Sequence, residues 1–271
     1  MTIAIAAVTG SGEHIVTTSD RMISYEGGVI QAADEGALKS RKIAKKWGAM
    51  FAAENINLFL PIVLAAQEYL KARDNEEHDL HVVQDAMVTA YSNSFDAEFT
   101  SRFLNRYNLA SISAFRNTGL AQFGADRFQL ICERIDQFDL GITLVVYGFD
   151  GQKRPHIFQV SNPGTITNHD LLQEAVIGSG FYMATASLRR KRPPYDLNEM
   201  IYRLLEAKFS AETAPGVGKS TVLFTMSVDG KDGSIGIGSI EKIRTIWAKT
   251  LQEPPPQEAM KIIQTLFPKK D

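Results

Sequence analysis

A chain of 271 residues, 44% hydrophobic and 22% charged, carries enough apolar surface for a full core, as one large domain or two small ones. A net charge of −2 gives no global attraction to nucleic acid, and no apolar run approaches the roughly 20 residues needed to span a bilayer. One cysteine, Cys132, excludes an internal disulfide and a thiolate metal cluster built by a single chain, and its apolar surroundings between Phe128 and Ile135 predict a packed thiol.

The N-terminus lacks a basic region followed by an apolar stretch and a cleavage site, so the expected location is cytoplasmic, with no membrane and no nucleic-acid partner. Two alternating segments, Ile3 to Val8 and His14 to Ser19, flank Gly10-Ser11-Gly12, a suitable three-residue hairpin loop. Pairing centred on Ser11 places Thr9 opposite Glu13 and, by continuation, Thr2 opposite Asp20. A second hairpin is expected from Arg41-Lys42-Ile43 and Trp47 to Ala53.

From Asn55 to Arg73, the residues Ile56, Phe59, Leu60, Val63, Leu64 and Leu70 form one stripe, and Leu80, Val83, Met87, Tyr91, Phe95 and Phe99 repeat the spacing. Both are read as amphipathic helices. Residues 105–138 interleave aromatic and charged side chains, with weak helical spacing at Phe128, Ile131 and Ile135, and read as a helical insertion. Strands return at Gly141 to Tyr147 and His156 to Val160, each followed by a turn.

A helix carrying Tyr182 to Leu188 follows Gly178-Ser179-Gly180, and another begins behind Asp196, which has capping-box spacing to Glu199. Val222 to Val228 is a last strand, and Met260 to Phe267 a short amphipathic helix behind Pro254-Pro255-Pro256. The run Arg189-Arg190-Lys191-Arg192 reads as a solvated helix end. Strands, two helices, strands, two helices, strands is the order of an α+β protein with two antiparallel sheets face to face and helices outside both.

Two motifs fail on their own terms. Gly216-Val217-Gly218-Lys219-Ser220-Thr221 contains the end of a phosphate loop, but the required glycine five before Gly218 is Thr213, and the segment enters a strand rather than a helix. His78 and His81 lack a third ligand, which makes them solvated histidines near a helix start rather than a metal site; no cofactor or metal is expected.

Thr2 offers different chemistry. If Met1 is removed, its hydroxyl and its own amine become a nucleophile and a base on one residue, and an α-amino group with a pKa of about 7.7–8.0 is partly neutral near pH 7. The order of elements, Thr2 at the head of the first strand, Thr18-Ser19-Asp20-Arg21 ending the second, Lys42-Ile43 in the next, and Ala175-Val176-Ile177-Gly178-Ser179-Gly180 later resemble the proteasome β-type proteins of the N-terminal-nucleophile (Ntn) hydrolases, as a divergent bacterial-type homologue. The similarity covers residues 2–104 and 139–230.

The resemblance implies a four-layer α/β/β/α sandwich: one domain over 2–240 with the helical insertion at 105–138, and a C-terminal helical extension at 241–271. It implies a threonine-type peptidase or amidohydrolase in a self-assembled homo-oligomer, acting on a peptide or amide substrate, with an ATP-dependent unfoldase as a possible partner. Thr2 would attack the carbonyl, Lys42 would hold a positive charge beside it, Asp20 would pair with Lys42, and Ser179 would relay a proton near the amine. The alternative is a catalytically inactive scaffold subunit. Two departures favour that alternative: Ala52-Ala53-Glu54 replaces the usual glycine of the oxyanion turn, and Thr213 to Gly218 lacks the family's supporting Asp and Ser.

Overall fold

The structure is a computed structural model that describes residues 2–22, 38–73, 78–190 and 194–251. The chain divides into two compact units, residues 1–235 and 236–271. The second contributes one described helix, α7 (Ile237–Thr250), most of which falls within the C-terminal helical extension expected at 241–271; the helix expected at Met260 to Phe267 lies outside the described residues.

Among the described residues of the first unit the strands are β1 (Ile3–Val8), β2 (His14–Asp20), β3 (Ser40–Ala44), β4 (Trp47–Ala53), β5 (Ile142–Phe149), β6 (Pro155–Ser161), β7 (Thr165–Asn168), β8 (Glu174–Gly178), β9 (Thr221–Ser227) and β10 (Asp232–Ser234). They form two five-stranded antiparallel sheets, in the orders β10-β9-β2-β1-β8 and β3-β4-β5-β6-β7. The helices are α1 (Phe59–Lys71), α2 (Leu80–Phe99), α3 (Ile112–Phe123), α4 (Ala125–Gln137), α5 (Phe181–Leu188) and α6 (Leu197–Ala211). One core lies between the sheets and another between the β3–β7 sheet and α1 to α4, while α6 packs on β1 and β2. This is the four-layer α+β sandwich expected from the sequence.

Strand alternation explains why β1 can be buried on both faces. Ala4, Ala6 and Val8 point into the inter-sheet core, where small side chains let the sheets close, and Ile3 and Ile5, fully buried, point the other way. Burial of each isoleucine is worth about 1.5–3 kcal/mol. On α1 the buried stripe is Phe59, Ile62, Val63, Ala66 and Leu70; Leu60 and Leu64, expected inside, are exposed because the helical period from Phe59 passes between them. On α2 the expected Val83, Met87, Tyr91, Phe95 and Phe99 are all buried. The insertion contains α3 and α4, with Ser111 capping α3 through Ala114 N (3.0 Å). Asp196 caps α6 as its spacing predicts, accepting from Glu199 N at 2.8 Å.

The first hairpin departs from the expected register by one residue. Ala4 faces Ser19 and Val8 faces Ile15, so Asp20 falls opposite Ile3 rather than Thr2. The loop is longer than Gly10-Ser11-Gly12: Thr9 N–H donates to His14 O (3.0 Å), Gly12 N–H donates to Thr9 O (2.8 Å), and Gly12 takes a φ of +73° that glycine adopts without strain.

His78 also departs from expectation. It is buried just ahead of α2, its carbonyl accepts from Trp47 Nε1 (3.1 Å), and burial, aided by Arg73, lowers its pKa below 6.5. His156 on β6 is stacked on Trp47 and lies between two carboxylates, with Nδ1 2.7 Å from Asp170 Oδ2 and Nε2 3.3 Å from Asp150 Oδ2. Both ring nitrogens must donate to satisfy both carboxylates, so the geometry calls for imidazolium. Burial works against that charge, but the hydrogen bonds to Asp170 and Asp150 outweigh it and raise the pKa above 6.5. Burial also disfavours the two carboxylates, yet hydrogen bonds from Arg154 and His156 at Asp150, and from His156 and Ile157 N at Asp170, hold both below 3.8.

The sign of the pH dependence follows. The carboxylates contribute stability above the unfolded value of 3.8 and lose it as pH falls through their depressed values; His156 contributes fully below 6.5 and loses its share as pH rises through its raised value. The contribution of His156 is therefore expected to fall from pH 5.5 to pH 8.5, opposite in sign to that of His78, so His156→Gln should cost about 2 kcal/mol at pH 5.5 and less at pH 8.5, read as the difference in urea midpoint between variant and wild type at each pH. An equal difference at both pH values would remove His156 as a source of pH dependence.

Candidate active site

Thr2 sits at the entry of β1 and Asp20 at the exit of β2, so the hairpin brings both to one end of the sandwich. The one-residue register shift does not separate them: Asp20 Oδ1 accepts from Thr2 Oγ1 and from Ile3 N (3.0 Å). Asp20 Oδ2 accepts from Met22 N (3.1 Å) and Gly218 N (3.2 Å). A fully buried carboxylate with this many donors is held in one rotamer with its oxygens satisfied.

The lysine that completes the cluster is Lys39, directly ahead of β3. Its Nζ contacts Thr2 Oγ1 and lies 2.8 Å from Asp20 Oδ1, and the side chains of Lys39 and Asp20 are 2% and 0% exposed. Burial pulls the Lys39 ammonium below its ordinary 10.5, against the opposing attraction of Asp20.

Lys42, the lysine expected here, is elsewhere. It is 46% exposed and paired with Asp232 of β10 at 2.6 Å. The reason is reach: Thr2 and Asp20 lie at strand ends, and Lys42 is three residues, about 10 Å, further along β3. The usable signal was positional, since only a lysine at the start of that strand shares an end with Thr2.

Ser179 does converge on Thr2. Its Oγ donates to Thr2 O (3.4 Å) and to Pro215 O (3.0 Å), so it ties the first residue to the loop ahead of β9 rather than capping α5, whose N-cap is Gly180. Gly178 makes this approach possible. It has φ +103°, and a Cβ there would stand 2.1 Å from Thr2 O. The loop itself, where the supporting Asp and Ser were missing, is anchored by Lys208 of α6, fully buried, whose Nζ donates to Gly218 O (2.7 Å) and Lys219 O (3.1 Å) and contacts Glu212. Gly218 then passes that anchoring to Asp20 through its N–H. Neither Lys208 nor Gly218 was anticipated, because a buried lysine looks like any helix lysine in sequence.

The turn after β4 also resolves differently from the simple reading. Phe51 N donates to Lys39 O (3.2 Å) and Glu54 N to Gly141 O (2.8 Å) on the opposite side. Ladder alternation therefore directs the Ala53 N–H to the Lys39 edge. Glu54 lies against Gly141, where an added Cβ would meet its Oε2 at 3.3 Å. A cavity of about 210 Å³ opens between the sheets, lined by Thr17, Ser40, Lys42, Tyr147, Met226 and Asp232 and by none of Thr2, Asp20 and Lys39. It borders the lysine end through Ser40, whose Oγ is 2.9 Å from Tyr147 Oη.

Among the described residues no helix is long and apolar enough to cross a membrane. The family model for the proteasome subunit matches residues 65–209, over half of the chain. No curated protein matches.

Proposed function

The chain belongs to the proteasome subunit family, and from that premise we propose that it is a threonine-type peptidase or amidohydrolase whose nucleophile is Thr2 after removal of Met1. The observation that carries the reading is the buried cluster of Thr2, Asp20 and Lys39. In it Lys39 takes the role first assigned to Lys42. Thr2 Oγ1 attacks the substrate carbonyl, its proton passes to the Thr2 amine, and the same proton returns to the leaving amine as the ester forms. Lys39 supplies positive charge beside the oxygen, which favours the alkoxide-like nucleophile and the neutral amine. Asp20 positions Lys39, Ser179 positions the Thr2 carbonyl, and the Ala53 amide supplies a donor for the oxyanion. Water then hydrolyses the ester. Enclosure in a homo-oligomer would restrict access to peptide or amide substrates, with an ATP-dependent unfoldase as feeder.

A scaffold subunit without activity is the second reading, favoured by the burial of Thr2, which is only 2% exposed. Intact mass and an electrophile selective for N-terminal threonine separate the two. The peptidase reading expects protein lacking Met1 that gains one adduct, absent from Thr2→Ala. Quantitative retention of Met1, or equal labelling of Thr2→Ala, would falsify it and leave the scaffold.

A further inference from the structure

The insertion carries a cluster of arginines that the site above does not use. After α2 the chain enters a π-helix over Thr100–Leu104 and a 3₁₀ turn over Asn105–Tyr107, an irregular stretch of the kind often found at functional sites. It lies against α4, and between the two segments a surface cavity of about 120 Å³ is lined by Arg106, Arg127 and Arg134, all three exposed, with Phe103, Tyr107 and Ile131.

The three guanidinium groups are held in place without counterions. Arg127 lies over the Tyr107 ring at 4.9 Å and donates to Tyr107 Oη at 2.9 Å. Arg106 lies 5.8 Å from the same ring and donates to Arg102 O at 3.1 Å. Arg134 lies 5.4 Å over Phe103. Among the described residues none of the three is paired with a carboxylate: Glu98 engages Arg102, and Glu133 accepts from Gln129. Arg127 and Arg134 share one face of α4, whereas Asp126, Glu133 and Asp136 lie about 100° or more around the helix from Arg127. Aromatic faces and neutral acceptors thus fix three cations around one small space and leave their charge available.

We propose that this cavity is a binding site for a phosphoryl group, held by Arg106, Arg127 and Arg134. A carboxylate has two oxygens and one charge, which a single guanidinium satisfies. A phosphoryl group brings three acceptor oxygens and a charge of about −1.5 to −2, which suits a pocket lined by three guanidinium-bearing side chains. The volume admits the group and the first atoms of whatever bears it. The site is independent of Thr2, and its test does not read hydrolysis.

Inorganic phosphate is titrated calorimetrically into the full chain in low-salt chloride buffer, with acetate as the monoanion control and adenosine monophosphate as the esterified form. The expected result is saturable one-site binding of phosphate, none of acetate, and at least a tenfold loss of affinity in Arg127→Gln/Arg134→Gln with an unchanged circular dichroism spectrum. Tighter binding of the nucleotide marks an esterified ligand, and equal binding marks free phosphate; either supports the site. No saturable phosphate binding, equal binding of acetate, or an undiminished affinity in the double variant overturns it. Should the double variant misfold, Arg134→Lys replaces it, with the same two readings.

Discussion

On the proposed mechanism, Lys39→Met is expected to lower the rate of Thr2 acylation about 10²–10³-fold, whereas Lys42→Met is expected to leave it within a factor of about two. The contrast follows from place. Lys39 Nζ touches the threonine oxygen and is buried with Asp20, where a charge acts through little solvent and is worth far more than in water. Lys42 and Asp232 are 46% and 49% exposed, and such a pair contributes about 0–1 kcal/mol and nothing to Thr2. Removing Lys39 also leaves Asp20 buried without its cation, at a cost of about 3–5 kcal/mol, so labelling is measured where circular dichroism shows both variants folded. Undiminished labelling of folded Lys39→Met, or a loss confined to Lys42→Met, would return the role to Lys42.

Gly178→Ala is expected to lower stability by more than about 3 kcal/mol and, in the protein that still folds, to slow Thr2 acylation about 100-fold or more. Two effects add. The φ of +103° is strained for any residue with a side chain, and the new methyl would lie 2.1 Å from the Thr2 carbonyl oxygen, far inside contact distance. Because Gly178 pairs with Ile3, relief requires β1 and β8 to part at the end that carries Thr2. Gly238→Ala in α7 is the control, since a methyl there meets nothing within 4 Å; it should leave acylation unchanged. Wild-type stability and labelling in Gly178→Ala would show that the close approach of β8 does not position Thr2.

Periodic features of the fold were legible where the side chains of an element repeat with a regular period. The stripe of α2 and the small-residue alternation of β1 are records of which side meets a core, and both were read correctly. The short strands β7 and β10, four and three residues long, carry too few positions for a period to emerge. α1 shows the limit of a stripe read without a partner surface, since Leu60 and Leu64 are as apolar as their buried neighbours and face outward.

The candidate site divides along the same line. Thr2 was singled out by its position, Asp20 by the hairpin pairing and Ser179 by the family resemblance, and the structure brings the three together. The role of Lys39 rather than Lys42 in the cluster was not legible, because both belong to the unbroken polar run Lys39-Ser40-Arg41-Lys42 ahead of Ile43 and sequence contains no distance.

By itself, then, the chain's sequence determined the two apolar sheets, the helices that cover them and the threonine at the head of the first strand, all of which follow from local pattern and backbone chemistry. Only the tertiary structure decided that Asp20 reaches Thr2 despite a one-residue shift, that Lys39 and not Lys42 completes the cluster, that Lys208 and Gly218 secure Asp20 from the far side, and that three arginines of the insertion share one cavity. The physical reason is that burial and charge pairing depend on distances across elements far apart in the chain, and those distances exist only after the sheets have stacked.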